Sequence, residues 1–354
     1  MGKHFDPEWA IERLDVLIES QIRAILGVPQ VRRLIATWRS IAHLVEALDP
    51  DAPVSLALLA CASGELDADP LRAVLEAPCA SGDPPWTLCV VDEDIARHRE
   101  EAGRLGACAY VAAERHALLL FGVEPEDTTT DLAPAYDPFM SVRYAEQSRN
   151  VALCLPRVNL DDGLATTEGS VRASVIVAAA IARHYKERGD CEPYLPPHRS
   201  LVAARMAHGY DDATCHALAE RGYCALSSTG HAPEAVTYRR PLYMGRSEEG
   251  RVAGFNHRAS CLISWALMTN RWTIAVELRS RHLAPDDADP TAALQTWLER
   301  FVGTGRPLEK VLVQVPAEQL GFSLWLRPKA TQDGRSITLF AEGKLRLAIE
   351  GRHR

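Results

Sequence analysis

Four short apolar runs, "VSLALLA" (54–60), "TLCVV" (87–91), "ALLLF" (117–121) and "VALCL" (151–155), alternate with segments of helical character. Each is apolar at consecutive positions, so a strand built from it puts side chains on both faces and needs cover on both. Central strands of a parallel sheet flanked by helices meet that demand, and the order of the elements points to an α/β fold. The intervening segments supply the helices. Asp69-Pro70 opens "LRAVLEA", Asp92 stands where it would cap "EDIARHREEAGRL", and "VRASVIVAAAIARHYKERG" reads as a longer buried helix stopping at Gly189. The acidic run Asp92, Glu93, Asp94 is therefore expected at a helix start, where carboxylates favour the dipole.

Two helices precede the first of these runs. One starts at Asp6-Pro7-Glu8, with Asp as N-cap and Pro at the first helical position, and passes through Trp9, Leu14, Leu17, Ile18 and Ile25 to Gly27. The other lies in "VRRLIATWRSIAHLVEAL" (31–48), where Val31, Leu34, Ile35, Trp38, Ile41, Ala42 and Val45 recur at three- and four-residue steps. That stripe is expected to be buried with Trp38 as its anchor, and Arg32, Arg33 and Arg39 fall beside or opposite it.

After about residue 190 the texture changes. "DCEPYLPPHRS" is a proline-rich loop, "GYCALSS" a strand and "YMGRSEEGRVAG" a polar connection. Then come the helical "FNHRASCLISWALMTNRWTIAVELRSR" and a helix opened by Asp289-Pro290, whose Leu294, Trp297, Leu298, Phe301 and Val302 form one stripe ended by Gly303. "KVLVQV", "GFSLWLR", "SITLF" and "KLRLAI" close the chain with period-two alternation, Val311, Val313 and Val315 on one face and then Phe322, Leu324 and Leu326, as in a half-buried antiparallel sheet. The expected organisation is an N-terminal helical pair (1–50), an α/β core (51–245) and an α+β C-terminal region (246–354).

Composition narrows the function. With 354 residues, 47% hydrophobic and 24% charged, the chain has material for one large or two modest globular domains. A formal net charge of −8 argues against a nucleic-acid partner, because duplex binding needs clustered Lys and Arg. No apolar run approaches the roughly 20 residues that span a bilayer, and "MGKHFDPEWA" lacks a signal-peptide core, so no membrane and a cytoplasmic location are expected. The nine cysteines are dispersed, as at Cys61, Cys89, Cys108 and Cys154, with no C-x-x-C pair, and read as buried reduced thiols. His208, Cys215, His216 and Cys224 are the one concentrated patch, and they read as core or surface residues, since spacing alone does not make a zinc site. No phosphate loop, strand-linked G-x-G-x-x-G, H-E-x-x-H or G-x-S-x-G occurs. "GTGRPLEK" (303–310) follows a helix and precedes a strand, the reverse of a phosphate-binding turn, and His98, His116 and His184 stand alone. No catalytic residue, cofactor or metal is expected.

Several stretches, in one collinear order, carry a resemblance. They are "QIRAILGVPQVRRLIATWRSIAHLV" with its Trp38-Arg39 pair, "ASGELDAD" (62–69), "PWTLCVVDEDI", "NVALCLPRVNL" with Pro156-Arg157, "LAERGYCALSSTGHAPEAVTYRRP", and finally "WLERFV", "PLEKVLVQV", "FSLWLRP" and "LRL". From about residue 14 to 347 the chain resembles the large subunit of the type VI secretion contractile sheath, kin to phage-tail sheaths. The resemblance implies a non-enzymatic structural protein that pairs with a sheath small subunit, stacks with other sheath subunits round an inner tube protein, and contracts by rearranging contacts. It implies structural or partner-contact roles for Trp38, Arg39, Pro156, Arg157, Trp297, Leu326, Arg327 and Pro328, with Arg39 holding a carboxylate or helix-end carbonyl near the partner.

The chain departs from the family in three places. "VNLDDG" replaces an arginine- and proline-rich stretch after Arg157, "KATQDG" replaces a His-containing run after Pro328, and only Met1 to Phe5 precede the first helix. Taken with the resemblance, the last point leads to the expectation of a short, divergent member without the N-terminal arm that in the family adds a strand to a neighbour's sheet. Two other readings stand beside this one: a sheath-derived adaptor or baseplate-associated protein that does not polymerise, and a small-molecule enzyme on an α/β scaffold, which would need a pocket with convergent polar groups.

Overall fold

The computed structural model describes residues 7–48, 51, 54–61, 64–81, 83–96, 99–123, 139–160, 170–188, 204–206, 210–226, 262–283, 289–316, 320–331 and 335–346. Helices α1 (Pro7–Leu26), α2 (Pro29–Ala47) and α3 (Ala68–Ser81) lead into β1 (Leu88–Ile95), α4 (Arg99–Glu114) and β2 (Leu118–Val123). The short α5 (Met140–Arg143) and a 3-10 turn (Glu146–Asn150) precede β3 (Val151–Leu155), β4 (Val158–Leu160), α6 (Ala173–Arg188), β5 (Ala204–Met206), α7 (Asp212–Glu220) and β6 (Tyr223–Ala225). The chain continues with α8 (Ile263–Ser280), α9 (Pro290–Glu299), β7 (Leu308–Gln314), β8 (Gly321–Pro328) and β9 (Leu339–Lys344).

Three of the four apolar runs become the strands expected of them. β1, β2, β3 and β6 form a parallel sheet in that order. Alternate residues go to opposite cores. Leu119, Phe121, Leu153 and Leu155 meet Leu71 and Leu75 of α3 and Leu105 and Val111 of α4. Leu118, Leu120, Ala152 and Cys154 meet Val175 and Ile176 of α6 and Ile263 and Leu267 of α8. A third core lies under the antiparallel sheet β7-β8-β9, where Val311 opposes Leu326, Val313 opposes Leu324, and Trp265, Leu294 and Leu298 fill the space behind them. The Asp289 cap forms as expected, accepting from the Ala292 amide at 2.9 Å. Gly303 sits at φ +120°, a conformation L side chains rarely adopt, where the chain turns toward β7.

The structure corrects several expectations. The run 54–60 carries no strand, and Leu56, Leu58 and Leu59 are exposed; an apolar run marks a surface that needs covering without saying what covers it. Asp92, Glu93 and Asp94 belong to β1, with α4 starting only at Arg99, because their partners are arginines distant in sequence. "SITLF" and "KLRLAI" contribute to a single strand, β9, that ends at Lys344 where its pairing with Gly321 ends. The Asp6 cap, "DCEPYLPPHRS" and "YMGRSEEGRVAG" lie outside the described residues.

The largest correction concerns α2. Its buried residues are Ala36, Ser40, His43 and Ala47, whereas Leu34, Trp38 and Val45 are exposed, Trp38 by 61%. The helix rests on α6 by its small, polar face, which allows close approach, leaving Leu34, Trp38 and Val45 of the stripe exposed and Val31, Ile35 and Ile41 half-buried. Trp38 is no core anchor. Trp38→Ala is accordingly expected to move the stability of the isolated chain by no more than about 0.5 kcal/mol, as surface substitutions do, and urea unfolding checks it.

Candidate functional site

The ends of the parallel strands converge on an ionic junction. Asp94 of β1 lies beside Gly122 of β2, which lies beside Cys154 of β3, so β2 separates Asp94 from whatever follows β3. Gly122 makes the crossing possible: a Cβ there would strike Asp94 Oδ1 and come within 2.9 Å of Arg172 Cδ. Over that gap Asp94 accepts from Arg157 Nη2 and, at 3.0 Å, from Arg172 Nε, while Arg172 Nη1 donates to Asp92. The Asp94 and Arg172 side chains are only 6% and 9% exposed, so this pairing is what allows their charges to sit there. Glu93 accepts from Arg104 Nη1 at 3.0 Å and from the Gly64 amide at 2.8 Å, and Thr37 of α2 donates to Asp92. Burial lowers the Arg104 pKa, but its bonds to Glu101 and Glu93 outweigh that and the net shift is upward. The junction thus fastens α2, α4 and the approach to α6 onto the end of β1. These carboxylates are engaged by arginines, which suits them to holding elements in register.

Of the eight residues to which the resemblance gives structural or partner-contact roles, Arg157 alone enters this junction, beside the acidic run Asp92, Glu93, Asp94. Pro156 is buried just before Arg157, and Arg39 lies partly buried on α2, from which Thr37 donates to Asp92. Trp297 stands edge-on to Phe301 at 5.4 Å, Leu326 and Pro328 are buried, and Arg327 is exposed. These eight residues occupy three separate places. The acidic run Asp92, Glu93, Asp94 is visible in the sequence but reads there as a helix start, and Gly122, Arg104 and Arg172 carry no local signal that ties them to it.

The thiols stay dispersed as well. Cys215 belongs to the core on one face of the parallel sheet and Cys224, beside Cys154, to the core on the other, and His208 lies outside the described residues. Cys61 is exposed, against expectation, while burial pushes the Cys89 and Cys108 thiols up to about 11 and keeps them protonated. Glu277 of α8 is a second buried junction, bonded to His116 Nε2 at 3.0 Å, Arg346 at 3.0 Å and the Lys344 amide at 3.1 Å. Burial by itself would raise its pKa; the bond from His116, the Lys344 amide and Arg346 together bring it below the usual value. A cavity beside it, lined by Leu75, Cys79, Arg115 and Arg346, has about 10 Å³, room for one water and not for a metabolite.

The most extensive feature is apolar. None of the described residues of α1 is buried. Ile11, Leu14, Ile18, Ile22 and Ile25 share one face of that helix, every one of them at least half exposed, next to a ridge of Glu8, Glu12, Asp15 and Glu19. Leu34, Trp38 and Val45 of α2 and Leu56, Leu58 and Leu59 are exposed as well. An unburied apolar helix face such as that of α1 marks a site of association. No described helix is long and apolar enough to cross a membrane.

No protein-family model and no curated protein matches the chain. Among solved structures, it is similar to a chain of the anti-feeding prophage baseplate, 15% identical over 89% of this chain and 79% of that one, with a TM-score of 0.50. It is also similar to a sheath tail protein from Desulfitobacterium hafniense, with 12% identity, 77% and 60% coverage and a TM-score of 0.46. A chain of the contracted helical sheath of the anti-feeding prophage follows, with 14% identity, 83% and 75% coverage and a TM-score of 0.47. The mixed α/β fold, with its parallel sheet and its antiparallel sheet, is similar to that of the baseplate chain.

Proposed function

We propose that this chain is a structural subunit of a contractile sheath, of the type VI secretion kind, which pairs with a sheath small subunit, contacts other sheath subunits and surrounds an inner tube protein in the cytoplasm. It performs no catalysis in this reading, and contraction draws on subunit packing. The observation that supports it is the unburied apolar face of α1 with the exposed Leu34, Trp38 and Val45 of α2, a surface of a kind that single soluble chains rarely leave bare. Trp38, Arg39 and segment 54–61 are its partner-facing elements, while Arg157 keeps the supporting core rigid.

A second reading is favoured by one observation, the likeness to a baseplate chain: a sheath-derived, baseplate-associated protein that forms discrete particles. Co-expression with a candidate sheath small subunit, followed by electron microscopy, separates long tubes from particles. Ile18→Glu is expected to abolish either assembly while leaving the stability of the isolated chain within about 0.5 kcal/mol, since it touches no buried position. Unaltered assembly of that variant would remove α1 from the interface.

A further inference from the structure

The seat of α2 on α6 contains a histidine. His43 is 5% exposed within the stripe Ala36, Ser40, His43, Ala47, and its Nε2 has no hydrogen-bond partner among the described residues. A neutral imidazole is tolerated there, whereas an imidazolium would need water or a counter-charge. Among the described residues its surroundings offer little of either. Arg183 of α6 faces it with like charge, the buried His184 follows on the same helix, and Glu46 on α2 offsets the repulsion only in part. Asp92 of β1, which α2 reaches through Thr37, is engaged by Thr37 and Arg172. Leu44, partly buried against the core that α6 shares, supplies the apolar hold.

We infer that α2 is seated on α6 by a proton-sensitive contact, so that acidification releases the α1–α2 pair, and the apolar surface it carries, from the parallel-sheet layer. The sign follows from the burial of His43 first and Arg183 second, which hold its pKa below the ordinary 6.5 against the opposing pull of Glu46. Above pH 6.5 the imidazole is neutral whether α2 is seated or free, and the contact is at full strength. As pH falls below 6.5 the free helix binds a proton that the seated one refuses, and the seat weakens until pH reaches the seated pKa. Each unit of lowering is worth a factor of about ten in the seating equilibrium. What release does to assembly rests on the function proposed above; release itself belongs to the isolated chain.

Hydrogen exchange of the isolated full chain, corrected for the intrinsic pH dependence of exchange, tests it between pH 7.5 and 5.5. Peptides covering 29–47 are expected to open about tenfold more for each unit by which His43 is suppressed, with peptides of α4 and β3 unchanged. His43→Gln should flatten the response. Should that variant misfold, Arg183→Gln, which removes the like charge, should shrink it. A flat response in the parent chain overturns the inference, as does one that survives His43→Gln or disappears on His184→Gln alone.

Discussion

Asp94→Ala is expected to destabilise the isolated chain by about 3 kcal/mol, because it leaves a buried cation behind. Arg172, 9% exposed, would retain only Asp92 from its present carboxylate partners, whereas Arg157, 31% exposed, can turn to water at small cost. That split puts the loss at the lower end of the range for breaking buried pairs. Removing the charge on both sides is a different experiment. Asp94→Leu combined with Arg172→Met should recover most of the loss, since apolar packing of similar volume replaces a buried pair with little net penalty. Urea midpoints at constant m-value measure both. A loss below about 0.5 kcal/mol for Asp94→Ala would mean that the junction does not hold the ends of the strands together.

The same junction shows what the sequence conceals. Asp92, Glu93 and Asp94 read locally as a helix start because acidic residues after a strand commonly serve there, and nothing within ten residues contradicts that. Their actual partners lie between 63 and 80 residues away for Arg157 and Arg172, and are brought near by a parallel crossover whose register no local window contains. By contrast, β1, β2 and β3 are legible because burial on both faces writes itself into consecutive apolar residues. Periodicity also found the apolar stripe of α2 and then placed Leu34, Trp38 and Val45 on the wrong side. A stripe says that a face wants cover, and the covering surface need not belong to the same chain. Leu56, Leu58 and Leu59 of the run 54–60 and Trp38 are exposed for all their apolar character. The C-terminal alternation fared better since its hydrophobic face is covered from within, by α8 and α9.

Trp265 is the tryptophan that anchors this fold, and Trp265→Ala should cost about 3–5 kcal/mol. Its side chain is 0% exposed, and its helix α8 works in two directions at once. Ile263 and Leu267 press on the core beneath the parallel sheet, while Trp265, Met268 and Val276 face the core beneath β7, β8 and β9. The C-terminal half of α8 is held separately by Glu277, bonded to His116 on one side and to Arg346 on the other. A helix fixed on both sides cannot move into the void that truncation leaves, and a void that cannot collapse forfeits contacts as well as transfer energy. The expected reading is a fall in melting temperature on the order of 5–10 °C, with Trp265→Phe recovering most of it by refilling the volume. Trp38→Ala, measured beside it, supplies the contrast that periodicity alone could not draw, one tryptophan turned toward the chain's own core and one away from it. Equal losses in the two variants would refute that distinction.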